Sequence, residues 1–401
     1  MTVTVSRRVQ RVKPSPTLNV SARAARLRAE GRDVISLGAG EPDFDTPAPI
    51  AQGGIEAIQK GLTRYTHVEG TNELKDAIIA KFARDNAIQY ERSQILVTCG
   101  AKQAIYNLCM AILDKDDEVI IPAPYWVSYP DMVLLADGQP VILTTTAAQG
   151  YKITPRQLAA AISPKTRLVL LNSPCNPTGA AYTRAELRAL GEVLIDQPRI
   201  VIGTDDMYEK IYWGAEPFCS LLTAVPELHS RTVTINGVSK SYAMTGWRIG
   251  FCGAPKELVL AMATIQGQST SNASSISQHA ATVALNGDQS YVERMNEAFK
   301  ARHDYVVAAL NALPGVSCLP GAGTFYAFAD VSQAMSALRC ASDTDFAEML
   351  LTEGEVAVVP GSAFGAPGHI RLSFACSLET LKKAMERIGT VLAKRSAARG
   401  G

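Results

Sequence analysis

Asn236-Gly237-Val238-Ser239-Lys240-Ser241-Tyr242-Ala243-Met244-Thr245-Gly246-Trp247-Arg248-Ile249-Gly250 begins where the apolar run Thr232-Val233-Thr234-Ile235 ends. One lysine sits among small and hydroxyl residues, with an arginine eight positions on. A lysine amine can form an imine with a carbonyl compound. A guanidinium fork can hold a phosphate through two parallel hydrogen bonds. Two upstream stretches share this placement just past an apolar run: Asn176-Pro177-Thr178-Gly179 and Asp205-Asp206-Met207-Tyr208.

Working outward, apolar strand-like runs recur at 94–98, 118–122, 140–144, 167–171, 200–203, 232–235 and 247–253. Helical stretches at 103–113, 184–195 and 256–266 separate most of them. Strands alternating with helices predict βαβ units, hence an α/β fold with a mainly parallel sheet. Ligands of such sheets bind beyond the carboxyl ends of the strands, which is where most of these residues fall. Gly100-Ala101-Lys102 follows the first run and opens a helix, so free N–H groups and a positive dipole end face any anion there. The spacing is neither G-x-x-x-x-G-K-[ST] nor G-x-G-x-x-G, which disfavours a Walker loop and nicotinamide binding. Asp205 ends its run, and a carboxylate buried there needs a partner; Asp206 is its rival for that role.

The C-terminal third reads differently. A long helix spans about 290–313, strands are expected over 315–328, 355–360 and 370–374, and helices over 345–352 and 381–397. Near the start, Val34-Ile35-Ser36-Leu37 reads as a short strand, and Gly38-Ala39-Gly40 lets backbone approach a ligand. The expected division is an arm at 1–14, a small α+β domain built from 15–48 and 295–401, and a large domain at 49–294.

With 401 residues, 47% hydrophobic, the chain can bury a large core. A net charge of +1 gives no long-range field for nucleic acid or an anionic membrane. No apolar run approaches the ~20 residues of a membrane helix. Eight scattered cysteines without a C-x-x-C pair argue against a zinc site or disulfide framework and fit a cytoplasmic setting. Residues 1–29 are arginine-rich and have no acidic residue before Glu30, as in organelle transit peptides. They are read here as a retained arm, because the resemblance described next already begins near Ser6.

Taken together, these motifs resemble the class I/II pyridoxal-phosphate-dependent aminotransferases of fold type I. Within that family the sequence is similar to the bacterial aspartate aminotransferases, including those that accept prephenate. The likeness runs from Ser6-Arg7-Arg8-Val9-Gln10 through Gly38-Ala39-Gly40-Glu41-Pro42-Asp43-Phe44 and Pro124-Tyr125-Trp126 to Ile370-Arg371-Leu372-Ser373. It implies a seven-stranded, mainly parallel sheet between helices plus a smaller α+β domain. It also implies pyridoxal phosphate bound to Lys240, with Asp205 on the ring nitrogen. The Asp205 assignment follows the family's spacing to Tyr208, which with Asn176 would contact the phenolic oxygen. Trp126 would stack on the ring, and Gly100, Ala101, Lys102 and Arg248 would hold the phosphate. Tyr65 would reach the phosphate of a second copy in a homodimer with shared sites; His67 stands near it where many relatives have proline.

For the substrate, the resemblance implies Gly40 beside the carboxylate, Arg371 clamping it, and a dicarboxylic amino acid such as aspartate or glutamate, with prephenate a further candidate. One branch of the family binds the second carboxylate with an arginine after the lysine motif, but 249–293 contains none. Lys13 matches the arm lysine of prephenate-accepting relatives. Aromatic-, alanine- or kynurenine-type transamination and a lyase on the same scaffold remain alternatives. A cofactor-binding regulator is not expected, since only Met1 to Val5 precede the resemblance.

Overall fold

The structure is a computed structural model that describes residues 3–14 and 16–400, with side chains through 397. Met1 and Thr2 of the expected arm, Ser15 at its junction with the small domain, and Gly401 lie outside the described residues. The first strand, β1 (Ile35–Ser36), pairs in parallel with a short strand at Val356–Ala357 and so ties the N-terminal segment to the C-terminal third.

All seven expected runs enter one sheet. Its strands are β2 (Ile95–Thr98), β3 (Glu118–Ala123), β4 (Gln139–Thr144), β5 (Thr166–Asn172), β6 (Val201–Asp205), β7 (Thr232–Gly237) and β8 (Gly250–Gly253), in the order β2-β8-β7-β6-β5-β3-β4. Only β8 runs antiparallel to its neighbours. Consecutive residues feed opposite cores: Leu168 and Leu170 face one side, Val169 and Leu171 the other. Burial on both faces is why the central strands read as continuous apolar runs rather than alternating ones. The edge strand β4 is partly exposed and tolerates Pro140.

The helices are set by their own ends and faces. Arg184–Ile195 starts at a Thr183/Glu186 capping box and buries Leu187, Leu190, Gly191 and Leu194 on one stripe. Two helices not anticipated from the sequence, Asn72–Asn86 and Ser275–Asn286, pack against each other beside the sheet. Both have weak amphipathic patterning, with apolar and small residues mixed.

The second sheet is antiparallel. Strands Val359–Pro360, His369–Ser373, Tyr326–Asp330 and Ser317–Cys318 lie in that order. The expected strand over 315–328 is thus two short strands. Between them Pro320, Gly321 and Gly323 carry a loop that docks on Ile211 and Trp213 through Thr324 N to Ile211 O and Trp213 N to Ala322 O, both 2.8 Å. The run over 355–360 is likewise divided, its halves serving different sheets.

Candidate active site

The strand ends converge because of the one reversed strand. In register, Gly250 at the start of β8 lies between Thr98 at the end of β2 and Gly237 at the end of β7. Arg248 therefore arrives at the same sheet edge as Gly100 and Lys240. Arg248 itself has φ 56°. Its Nη1 donates to the Thr245 carbonyl at 2.9 Å, and its Nη2 to the Cys99 carbonyl at 3.3 Å. Gly100, at φ 83°, precedes the helix Ala101–Ile112, whose N-terminus has no side-chain cap. A Cβ on Gly100 would lie 2.4 Å from Arg248 Nη2, so only glycine lets the guanidinium lie against this helix end.

A cavity of about 400 Å³ opens here. Its lining includes Gly40, Ala101, Lys102, Trp126, Asn176, Asp205, Tyr208, Lys240, Arg248 and Arg371, drawn from both sheets and the N-terminal segment. Lys240 is half-buried, and its amine donates to the Gly40 carbonyl. Burial lowers its pKa to about 8; Arg248 and Arg371 act in the same direction, while Glu41 and Asp205 oppose. A less protonated amine is the form that acts as nucleophile or base.

Asp205 accepts a 2.6 Å hydrogen bond from the Tyr129 hydroxyl and a 3.3 Å one from the Met207 N–H. Burial raises its pKa, and these two donors oppose the rise. Tyr208 meets the Tyr326 hydroxyl at 3.1 Å. Arg371 is 2% exposed. It donates to Asn176 Oδ1 and to the Gly38 carbonyl, each at 2.9 Å, and stacks 4.2 Å over the Tyr326 ring, while its Nε has no partner. Because Asn176 Oδ1 is taken, its amide donor is the end left for the cavity.

The remaining sequence candidates are engaged elsewhere or lie outside this cavity. Lys102 points its amine at Ser128 Oγ, 3.1 Å away, and over the Trp126 ring at 4.9 Å. Lys13 lines a second cavity, of about 520 Å³, that shares Lys102 and Arg248 with the first, and its charge acts on Asp131. Tyr65 is 91% exposed and does not line the first cavity. Sequence reasoning missed Tyr129 and Tyr326. Tyr129 lay in a stretch read only for Trp126, and Tyr326 inside a run read only as strand.

Residues 32–388 match the family described as aminotransferase class I and II. The chain belongs to this family. It is 54% identical to the aspartate/prephenate aminotransferase of Nitrosomonas europaea over 97% of this chain and 99% of that one. It is 46% identical to the aspartate aminotransferase of Geobacillus stearothermophilus over 98% and 100%. Among solved structures, the Rhizobium meliloti aspartate aminotransferase superposes with a TM-score of 0.93 at 47% identity, covering 98% and 99%. The Thermus thermophilus aspartate aminotransferase with maleate gives 0.92 at 40%, covering 97% and 100%. The expected fold type is borne out, and this class I/II aminotransferase is a pyridoxal-phosphate enzyme.

The donor set fits that cofactor. An uncapped helix N-terminus beside an arginine suits a phosphate, a buried carboxylate suits a protonated ring nitrogen, and a lysine of lowered pKa suits the aldehyde. Among the described residues no group of His, Cys, Asp and Glu could hold a metal ion, and no helix is long and apolar enough to cross a membrane.

Proposed function

We propose that the chain transfers the amino group of aspartate or glutamate to 2-oxoglutarate or oxaloacetate, and to prephenate. The reading is carried by one observation: Lys240, Asp205, Asn176, Arg248 and Arg371 line a single cavity. The names of the relatives support aspartate and prephenate.

Pyridoxal phosphate supplies a carbonyl for the amino group and a ring that accepts electron density. Ala101 and Arg248 hold its phosphate, with Gly100 giving the space. Asp205, oriented by Tyr129, would keep the ring nitrogen protonated, Tyr208 and the Asn176 amide would hold the phenolic oxygen, and Trp126 would stack on the ring. Lys240 would hold the cofactor's aldehyde carbon, and the same Nζ, when free, would accept the proton from the substrate Cα. Arg371 would fix the α-carboxylate beside Gly40, in the cavity that Lys240 also lines. Lys13, in the adjoining cavity, is assigned the second carboxylate.

We also propose a cytoplasmic homodimer with shared sites, supported by Tyr65 at 91% exposure, close in sequence to the exposed Ile55, Ile58 and Leu62, and by eight cysteines none of which is paired. The division into 15–48 with 295–401 and 49–294 is supported by the pairing of Ile35–Ser36 with Val356–Ala357.

The test is an absorbance spectrum of the purified protein. Aspartate should bleach the visible band of the lysine-bound cofactor, and 2-oxoglutarate should restore it. Continuous turnover of an amino acid, with release of ammonia and no keto-acid acceptor, would overturn transamination in favour of a lyase.

A further inference from the structure

Among the described residues, two lysine or arginine side chains are buried, Arg371 and Lys81, each 2% exposed. Arg371 belongs to the cavity. Lys81 does not; it sits on helix Asn72–Asn86, packed on the other side of the segment that carries Asp205 and Tyr208. Its amine pairs with Glu209, donates to Asn86 Oδ1 at 2.7 Å, and lies 3.8 Å from Asp85. The Asn86 amide closes the ring by donating to Glu209 Oε2 at 2.8 Å. Asp85 also pairs with Arg84 at 2.9 Å and Lys210 at 3.0 Å. Asp206 faces the same region and accepts from Ser220 Oγ at 2.6 Å.

Replacing a buried ion pair with apolar residues of similar volume often leaves stability unchanged or raises it. Stability is therefore a poor reason for this cluster, and its position suggests another. Glu209 directly follows Tyr208. The turn is tight: Glu209 N donates to the Asp206 carbonyl at 3.0 Å, and Ile211 N to the Tyr208 carbonyl at 2.9 Å. Downstream, Trp213 and Ile211 are fastened to residues 322–324. Upstream, Asp206 N is fastened to the Ile235 carbonyl at 2.9 Å. Between these ends, Glu209 is the one side chain of the turn held by two buried donors on another helix. It grips the turn that carries Tyr208, and Tyr208 lines the cavity.

We infer that the buried Lys81–Glu209–Asn86 ring is a positioning device for the reaction, setting Tyr208 against the cofactor from outside the cavity. The inference rests on the cofactor reading above. A displacement of ~1 Å at a reacting group can cost about a hundredfold in rate, so the expected effect of loosening the turn is a fall in kcat of about ten- to a hundredfold, with little change in substrate KM.

The test uses the holoenzyme. Glu209→Gln removes the charge and keeps the shape; Lys81→Met with Glu209→Leu replaces the pair by apolar groups. The pH titration of the cofactor's visible band and kcat and KM for aspartate are measured beside the melting temperature. The expected result is a displaced titration midpoint and a lowered kcat in both variants, including the double variant whose melting temperature is at or above wild type. A midpoint and kcat equal to wild type in the stable double variant would overturn the inference and leave the ring purely structural. If Glu209→Gln does not accumulate folded, Asn86→Ser, which removes only the amide, is judged by the same two outcomes. Absence of any cofactor band in the wild type would instead defeat the cofactor reading.

Discussion

Replacing Arg371 puts a number on how the substrate is held. The guanidinium has five N–H donors. Two are engaged, with Asn176 Oδ1 and the Gly38 carbonyl, and Nε has no partner. Nε is buried, and one donor on each terminal nitrogen remains for a carboxylate, enough for a parallel pair. Hydrogen bonds to charged groups contribute roughly 1.5–3 kcal/mol each. Arg371→Lys keeps the charge and loses the fork, so about one such bond is lost and kcat/KM for aspartate should fall ~10–100-fold. Arg371→Met loses both bonds and should fall ~10²–10⁴-fold. The Met variant also leaves Asn176 Oδ1 and the Gly38 carbonyl without their donor, at about 1–3 kcal/mol each, partly offset by removing a cation whose burial lowers its pKa. The assay is therefore run well below the melting temperature of each variant. Stopped-flow bleaching of the cofactor band against aspartate concentration gives kcat/KM for the half-reaction directly. If Arg371→Met stays within about threefold of wild type, less than 1 kcal/mol, the assignment of Arg371 to the substrate carboxylate is wrong.

Further outcomes follow from other residues. Lys240→Ala should lose the borohydride-trappable cofactor bond and nearly all turnover, while circular dichroism shows the fold unchanged; wild-type turnover would remove Lys240 from the chemistry. Gly100→Ala would place a Cβ 2.4 Å from Arg248 Nη2 at φ 83°, so cofactor should dissociate at least ~10-fold more readily in a dialysis assay. Mixing Lys240→Ala chains with Tyr65→Ala chains should give hybrids more active than either parent, since one site regains both residues; confirmed subunit exchange without recovery counts against shared sites. Asp206 has its pKa raised by burial to about 8, so between about pH 4 and 8 the native state holds a proton that the unfolded chain has lost. Stability then falls as pH rises through that window, and the penalty is complete above pH 8. Asp206→Asn does not titrate, so its melting temperature should gain on wild type from pH 4 to pH 8; a constant difference would show that Asp206 ionises normally.

What the sequence determined is local and periodic. Seven apolar runs became the seven strands of one sheet, because strands covered on both faces must be apolar throughout. The residues just past those runs became the lining of one cavity, because parallel strands bring their carboxyl ends to one edge. Arg248 was placed by its motif and not by this rule; its arrival at that edge depends on β8 running backwards, which pairing with β2 and β7 decides.

Tertiary structure alone supplied the partners. Tyr129 reaches Asp205 across 76 positions, Tyr326 reaches Tyr208 across 118, and Asn86 reaches Glu209 across 123. Nothing in the local pattern of Lys81 or Glu209 separates them from the solvated charges of an ordinary helix and turn. Only the packing of helix Asn72–Asn86 against the turn after β6 takes both out of water, and once dry each charge requires the other.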